Sequence, residues 1–353
     1  MLKKMNKNTK SNLITYGIVI AAFIIMQTLI STGSISSLME GLMVPLCIYI
    51  ILAVSLNLVV GILGELSLGH AGFMCVGAFT SAFFSKCMRD VITIAPLRFI
   101  LALLIGMAVA AVFGIIIGIP VLRLKGDYLA IVTLAFGEII QNLVNVLFIG
   151  KDSNGFHFST KDVMDLNMEA DGTVLVNGPQ GITGTPKDST FLIGVILILI
   201  TLFIVINMIN SRDGRAIMAI RDNRIAAESV GINVTKYKLM AFTVSAALAG
   251  AAGVLYAHNL STLTANTNNF GYNMSINILV FVVLGGIGSI RGSMIAAVIL
   301  TLLPELLRGL SDYRMLIYAI VLILMMLFNW SPKAIEWREK YLSFGKKKKE
   351  AVK

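Results

Sequence analysis

The sequence predicts an all-α polytopic membrane protein of about ten transmembrane helices, and three observations carry that expectation. Hydrophobic residues make up 57% of the chain and charged residues only 14%, a balance foreign to a soluble domain with one core. Apolar runs near the length of one bilayer crossing recur from end to end. The formal charge of +10 collects in tails and short connections, where Lys and Arg orient spans. It does not form a face suited to nucleic acid, and no nucleic-acid partner is expected; the surroundings are membrane lipid.

A spanning helix needs roughly 20 apolar residues. Lys3, Lys4, Lys7 and Lys10 precede the run 13–30. That run exceeds a signal-peptide core and no small-residue cleavage site follows, so it reads as a retained first span. Runs 38–60, 66–84, 97–119 and 128–149 supply spans two to five. A polar segment, 150–189, separates them from span six at 190–209. A second polar segment, 211–238, leads to span seven at 239–256. Short apolar runs at 275–287 and 293–307 and a final run at 313–330 complete the set. The division is a tail over 1–12, a permease domain over 13–332 and a basic tail over 333–353, in which Lys346, Lys347, Lys348 and Lys349 stand in a row.

Lys and Arg set the orientation. The N-terminal tail goes to the cytoplasm, so five spans put 150–189 outside. That segment holds Lys151, Lys161 and Lys187 against Asp152, Asp162, Asp165, Glu169, Asp171 and Asp188, as an exterior loop should. Its turn-rich run Gly178-Pro-Gln-Gly-Ile-Thr-Gly-Thr-Pro186 reads as a linker, a partner contact or a gate. Span six returns the chain inside, and four more leave the C-terminal tail there. Arg123 and Lys125 also fall inside. Lys86, Arg89 and Arg98 fall outside, against the scheme.

The segment 211–238 carries Arg212, Arg215, Arg221, Arg224, Lys236 and Lys238 against Asp213, Asp222 and Glu228. Its net positive charge puts it in the cytoplasm. Residues 215–221 can form one short helix, and Asp222 or Asn223 can cap a second that runs to Val230. Gly231 sits where a helix ends in a left-handed turn, from which Ile232 folds back. Ala226 and Ala227 are small enough for a partner to approach the backbone, with Glu228, Arg215, Arg221 and Arg224 pairing at the rim. A solvated basic loop is the plainer alternative.

Polar groups also enter apolar runs. Glu65, Ser67 and His70 lie among Gly61, Gly64, Gly69 and Gly72. Glycines weaken a helix and charges at membrane depth face a cavity or a partner, so this stretch reads as a broken segment lining a path. A wetted cytoplasmic turn is the alternative. Thr133, Glu138, Gln141, Asn142 and Asn145 lie on span five, the last four at helical spacing on one stripe. The stripe faces a path, or it bonds neighbouring helices. A third cluster, Leu284-Gly-Gly-Ile-Gly-Ser-Ile-Arg-Gly292, loosely echoes the first and suggests two related halves.

No phosphate loop of the form G-x-x-x-x-G-K-[ST] occurs, so ATP hydrolysis is not expected of this chain. Cys47, Cys75 and Cys87 lack metal or redox spacing, and His70, His157 and His258 are scattered. The expectation is no enzyme, no metal and no cofactor bound by this chain.

Several runs together resemble one family. They are Gly64-Glu-Leu-Ser-Leu-Gly-His-Ala-Gly72, Leu122-Arg-Leu-Lys-Gly-Asp-Tyr-Leu-Ala-Ile-Val-Thr-Leu134, Phe136-Gly-Glu-Ile139, Gly178-Pro-Gln-Gly-Ile182, Gly214-Arg-Ala with Ala226-Ala-Glu-Ser-Val-Gly-Ile232, and Val283-Leu-Gly-Gly-Ile-Gly-Ser289. In this order they resemble the M-type permease subunit of branched-chain amino-acid ABC importers, from span two to about Arg308. The resemblance implies a type II importer architecture in a bacterial cytoplasmic membrane and import of leucine, isoleucine and valine. It implies a homologous second permease, two cytoplasmic ATP-binding subunits and an extracytoplasmic substrate-binding protein. It also implies that Ala226, Ala227, Glu228 and Gly231 dock an ATPase subunit. Glu65 stands where relatives often carry a neutral polar residue, which keeps urea or short amides open as solutes. Two other classes stay open on the residues alone. One is an ion-coupled transporter using Glu65, His70 or Glu138; the other is a non-transporting membrane scaffold.

Overall fold

A computed structural model describes residues 7–34, 36–122, 128–169, 172–307 and 313–330. Lys3 and Lys4, Arg123 and Lys125, and the basic tail 333–353 fall outside the described residues. The chain divides into two units, Met1–Val298 and Ile299–Lys353.

The first unit is built on helices α1 (Lys7–Ser31), α2 (Ser37–Asn57), α3 (His70–Cys87), α4 (Ala95–Val121), α5 (Tyr128–Val146) and α6 (Phe191–Asn210). Two short helices follow, α7 (Arg212–Asp222) and α8 (Arg224–Ser229), and then the long α9 (Val234–Ala257). A four-residue turn of helix, α10 (Thr267–Phe270), leads into α11 (Tyr272–Gly285) and α12 (Ile290–Leu306). The second unit holds the end of α12 and α13 (Arg314–Trp330), whose Leu316, Ile320, Ile323, Leu324 and Leu327 are exposed. Among the described residues, six helices are long and apolar enough to cross a membrane: α1, α2 with its π-helical extension, α4, α5, α6 and α9. The other expected crossings correspond to α3, α11, α12 and α13, of 18, 14, 17 and 17 residues.

The core lies where α3 and α4 pack on α9. Small residues let the backbones touch. A Cβ on Gly77 would meet Gly250 O at 2.4 Å, and one on Gly253 would meet Met74 O at 2.1 Å. A Cβ on Gly250 would in turn sit 2.5 Å from the Ala110 methyl of α4. Close approach of this kind replaces the hydrophobic effect as the force between helices in lipid. Phe73, Phe136 and Phe242 stack around the same centre, with ring centroids 4.9 and 5.5 Å apart. In contrast, α1 and α4 leave Ile14, Ile18, Ile25, Ile100, Leu104 and Ile116 exposed, as lipid-facing helices do.

Three segments differ from the sequence expectation. Span three was expected over 66–84, but residues 66–69 are not helical and the helix starts at His70. Leu66 and Leu68 made the run look continuous, while Gly64 and Gly69 break it. Span five ends at Val146 rather than 149, because Phe148 and Ile149 belong to strand β1 (Phe148–Asp152). β1 is the centre of an antiparallel sheet with β2 (Gly155–Ser159) and β3 (Thr173–Asn177). The turn-rich run 178–186 is no free linker either. Its strand β4 (Ile182–Thr183) pairs with β5 (Thr262–Leu263), and Gly184 and Thr185 both donate to Ser261 O.

Two of the three cations that opposed the orientation scheme bond to the segment that carries this sheet. Lys86 Nζ donates to Val174 O at 2.8 Å, and Arg98 pairs with Asp188 at 3.0 Å. Both are held by the acidic segment that shares their end of the helices. Contacts within the first unit thus sort its connections into two ends. Residues 88–94, 148–169, 172–189 and 258–271 meet at one, and residues 64–69, 211–233 and 286–289 at the other.

Candidate functional site

The polar interruptions converge at the second of these ends. After α2 the chain continues as a π-helical turn, Leu58–Leu63, and stops at Gly64 with φ +80°. A left-handed residue there suits glycine. The π geometry shifts the hydrogen-bond ladder: both Gly64 N and Glu65 N reach Val59 O. Glu65 N therefore does not bond Gly61 O, as it would in an α-helix.

Arg221, at the end of α7, fills that acceptor. Its Nη1 donates to Gly61 O at 2.9 Å, while Nε and Nη2 hold Asp222 Oδ1. Glu65, expected either to line a path or to be wetted, instead pairs with Lys238 of α9, whose side chain is 6% exposed. Gly61 lies against Gly288, where an added Cβ would meet Gly288 N at 2.4 Å. Asn57 ties this contact down: Gly288 N donates to its Oδ1 at 2.9 Å and its Nδ2 donates to Ser293 Oγ at 2.8 Å. The two glycine clusters that echo each other in sequence are thus in contact.

The remaining path candidates split into two groups. Ser67, Gly69, His70 and Thr133 come together. Ser67 is buried, Leu68 N donates to Thr133 Oγ1 at 3.0 Å, and a Cβ on Gly69 would meet Thr133 O at 2.3 Å. His70 is enclosed with its Nε2 2.7 Å from Ser55 Oγ, and Ala71 N donates to Ser275 Oγ. Glu138 and Gln141 lie farther along α5, Gln141 about 12 Å from Thr133 by helical rise. Glu138 Oε1 accepts from Tyr272 N at 2.8 Å, capping α11. Gln141 Nε2 and Asn145 Nδ2 both donate to Ala265 O at 3.0 Å, and Gln141 Oε1 is buried with no partner among the described residues. The stripe on α5 mostly brackets the connection 262–272, and Asn142 alone points outward.

The segment 211–238 folds as its sequence dictates. Ser211 Oγ accepts from Gly214 N to start α7, and Asn223 Oδ1 accepts from Ala226 N to start α8, each at 3.0 Å. Gly231 takes φ +85°, and Ile232 N returns to Ala227 O at 3.1 Å. Ile232 packs with Ile220, Ala227 and Val234. Ala227 therefore faces the chain's own interior, and the surface offered outward is Ala226, Glu228, Ile225 and Val230. Arg224 pairs with Glu228 at 3.0 Å, and Arg215 donates to Asn210 O. Arg221 faces inward to Gly61 rather than serving only at a rim. Sequence reasoning missed Asn57, Ser55 and Lys238 in these roles; a single amide inside the apolar run 38–60 was the available signal for Asn57.

Comparisons with known proteins agree on one family. The family model described as branched-chain amino acid transport system / permease component matches residues 38–328. The high-affinity branched-chain amino acid transport system permease protein LivM of Salmonella typhimurium (strain LT2) is 37% identical over 298 residues, covering 82% of this chain and 67% of that protein. The permease protein LivH of the same organism is 24% identical over 286 residues, 79% of this chain and 88% of that protein. The ribose import permease protein RbsC of Escherichia coli (strain K12) is 28% identical over 292 residues, 79% of this chain and 81% of that protein. No solved structure gives a significant match.

Proposed function

This chain belongs to the family of permease components of branched-chain amino-acid transport systems, and on that premise we propose that it carries leucine, isoleucine or valine across a bacterial cytoplasmic membrane as one half of an ATP-driven importer. It is a multi-pass membrane permease subunit. The other half of the path is a homologous second permease, in keeping with the likeness to both LivM and LivH. Two cytoplasmic ATP-binding subunits supply the energy and an extracytoplasmic binding protein delivers the solute. Ten crossings, with both termini in the cytoplasm, put 211–238 inside and 150–189 outside.

The observation that carries this reading is the fold of residues 211–238. Two capped helices present Ala226, Glu228, Arg215 and Arg224 outward, while Arg221, Ala227 and the turn at Gly231 fasten the segment to the membrane helices. Such a segment suits docking by a separate engine. Ser67, Gly69, His70 and Thr133 flank the route on this chain's side, and Glu65, Glu138 and Gln141 brace the connections around it. The ion-coupled alternative is not favoured: of its candidates Glu65, His70 and Glu138, Glu65 is paired to Lys238, His70 lies enclosed against Ser55 and Glu138 caps α11.

The test is reconstitution of the assembled transporter with Glu228→Lys and, separately, Gly231→Trp. Both should release the ATP-binding subunits and abolish uptake of leucine, isoleucine and valine. Retained subunits with continuing uptake would overturn the docking role, and uptake of urea or acetamide in preference to leucine would overturn the solute.

A further inference from the structure

Three departures from helix geometry meet at one end of the molecule. They are the π-helical stretch that stops at Gly64, the turn around Gly286 and Gly288, and the cationic segment α7–α8. The bonds joining them are specific. The π turn leaves Gly61 O without the amide an α-helix would give it, and Arg221 Nη1 donates to that oxygen at 2.9 Å. The stem of Arg221 lies over Gly64, where an added Cβ would meet its Cγ at 2.5 Å. Lys238, the fifth residue of α9 after the cap Asn233, reaches Glu65 in the same stretch. Both ions of that pair are mostly out of water, so losing either partner leaves an uncompensated charge. From Gly61 the contact continues to Gly288, and Asn57 bonds both Gly288 N and Ser293 Oγ.

We propose that Arg221 and Lys238 are positioning residues that lock the interrupted stretch 58–69 to the segment 211–238, so that the two move as one body and pass displacement on to the turn at Gly288. The lock rests on the reading that 211–238 meets the ATP-hydrolysing subunits. Two cations grip the stretch, one through a backbone carbonyl and one through a carboxylate. A pull on α7 therefore cannot slide past residues 58–69 without breaking charge-assisted hydrogen bonds, which are the strong ones. Gly64 supplies the bend and Gly61 the contact surface. The interrupted stretch then works as a lever and not as a hinge.

The experiment uses the complete transporter in liposomes, with ATP hydrolysis, solute uptake and retention of the ATP-binding subunits measured together. Arg221→Ala and Lys238→Met should keep those subunits bound, yet uptake per ATP hydrolysed should fall about tenfold, the size of a typical coupling energy between sites. Reversal of one charge, Glu65→Lys or Lys238→Glu, should uncouple in the same way, and the double exchange should restore coupling in part. Spin labels at Leu66→Cys and Asp213→Cys, both exposed positions, should hold one separation through the nucleotide cycle in the otherwise unaltered chain. In Arg221→Ala that separation should become nucleotide-dependent. Unchanged uptake per ATP in Arg221→Ala and Lys238→Met would overturn the lock, as would a label separation that already changes with nucleotide when Arg221 and Lys238 are intact. Loss of the ATP-binding subunits from the parent assembly would instead overturn the functional reading on which the lock stands.

Discussion

Asn57 spends both ends of its amide inside an apolar helix: its oxygen takes Gly288 N and its nitrogen gives to Ser293 Oγ. A buried amide with both ends satisfied specifies one arrangement, because any other leaves polar atoms stranded. Asn57→Leu keeps the volume and strands Gly288 N, while Ser293 Oγ keeps its bond to Ser289 O. The expected cost is about 2 kcal/mol, the penalty for a buried group left unpaired. It should appear as a lower melting temperature of the detergent-purified protein, and an unchanged melt would show that the bridge adds nothing. At this scale the sequence revealed what chemistry fixes locally. Asn223 as a cap and Gly231 as a left-handed stop follow from preferences that act over a few residues. The bond from Arg221 to Gly61, 160 positions away, does not. Arg221 is one of several arginines in a basic stretch, and nothing in its neighbours says that it turns inward.

Among the elements, the apolar runs located the helices to within a few residues, since burial in lipid demands length and apolarity and little else. The misses have the same root. Phe148 and Ile149 are apolar and continue the run of α5, yet they form the strand that anchors a three-stranded sheet. Periodicity cannot separate a short buried strand from the last turn of a helix. Within that sheet Asp152 binds its surroundings closely. Burial alone would raise its carboxyl, but bonds from Glu169 N, His157 and Asn154 N outweigh burial and hold it below its ordinary value of 3.8. A depressed carboxyl contributes stability that is present above its unfolded value and lost as pH falls through the folded one. Protection of the strand amides of β1, β2 and β3, relative to the unfolded chain at the same pH, should therefore fall below pH 3.8, the ordinary value, and Asp152→Asn should remove that acid dependence. Equal acid sensitivity in both proteins would assign the effect to another group.

For the molecule as a whole, the arrangement of two ends predicts which residues share a side of the membrane. Met164 lies beside the three-stranded sheet and is 86% exposed, and Asp213 lies on α7. Cys47, Cys75 and Cys87 are buried, so single cysteines at Met164 and Asp213 can be read with little background. An impermeant maleimide added to whole cells should label Met164→Cys and spare Asp213→Cys; the reverse pattern would invert the topology. Charge counting alone carried that orientation with Lys86, Arg89 and Arg98 as exceptions, and only the fold shows Lys86 bonded to Val174 O and Leu175 O and Arg98 to Asp188. The class of transporter was legible because ordered motifs span most of the chain. The engagement of Glu65 and Glu138 was not, because a carboxylate facing a partner and one facing a route look alike in one dimension.

Where Gly77, Gly250 and Gly253 bring α3 and α9 backbone to backbone, with Ala110 of α4 closing the third side, the centre of this subunit is a watertight partition. A passenger the size of leucine finds no gap between those three helices and must skirt them. On the proposed reading one bank of the channel is supplied here and the opposite bank by a second permease, so this subunit inserted by itself into a vesicle should leave the bilayer as tight as lipid.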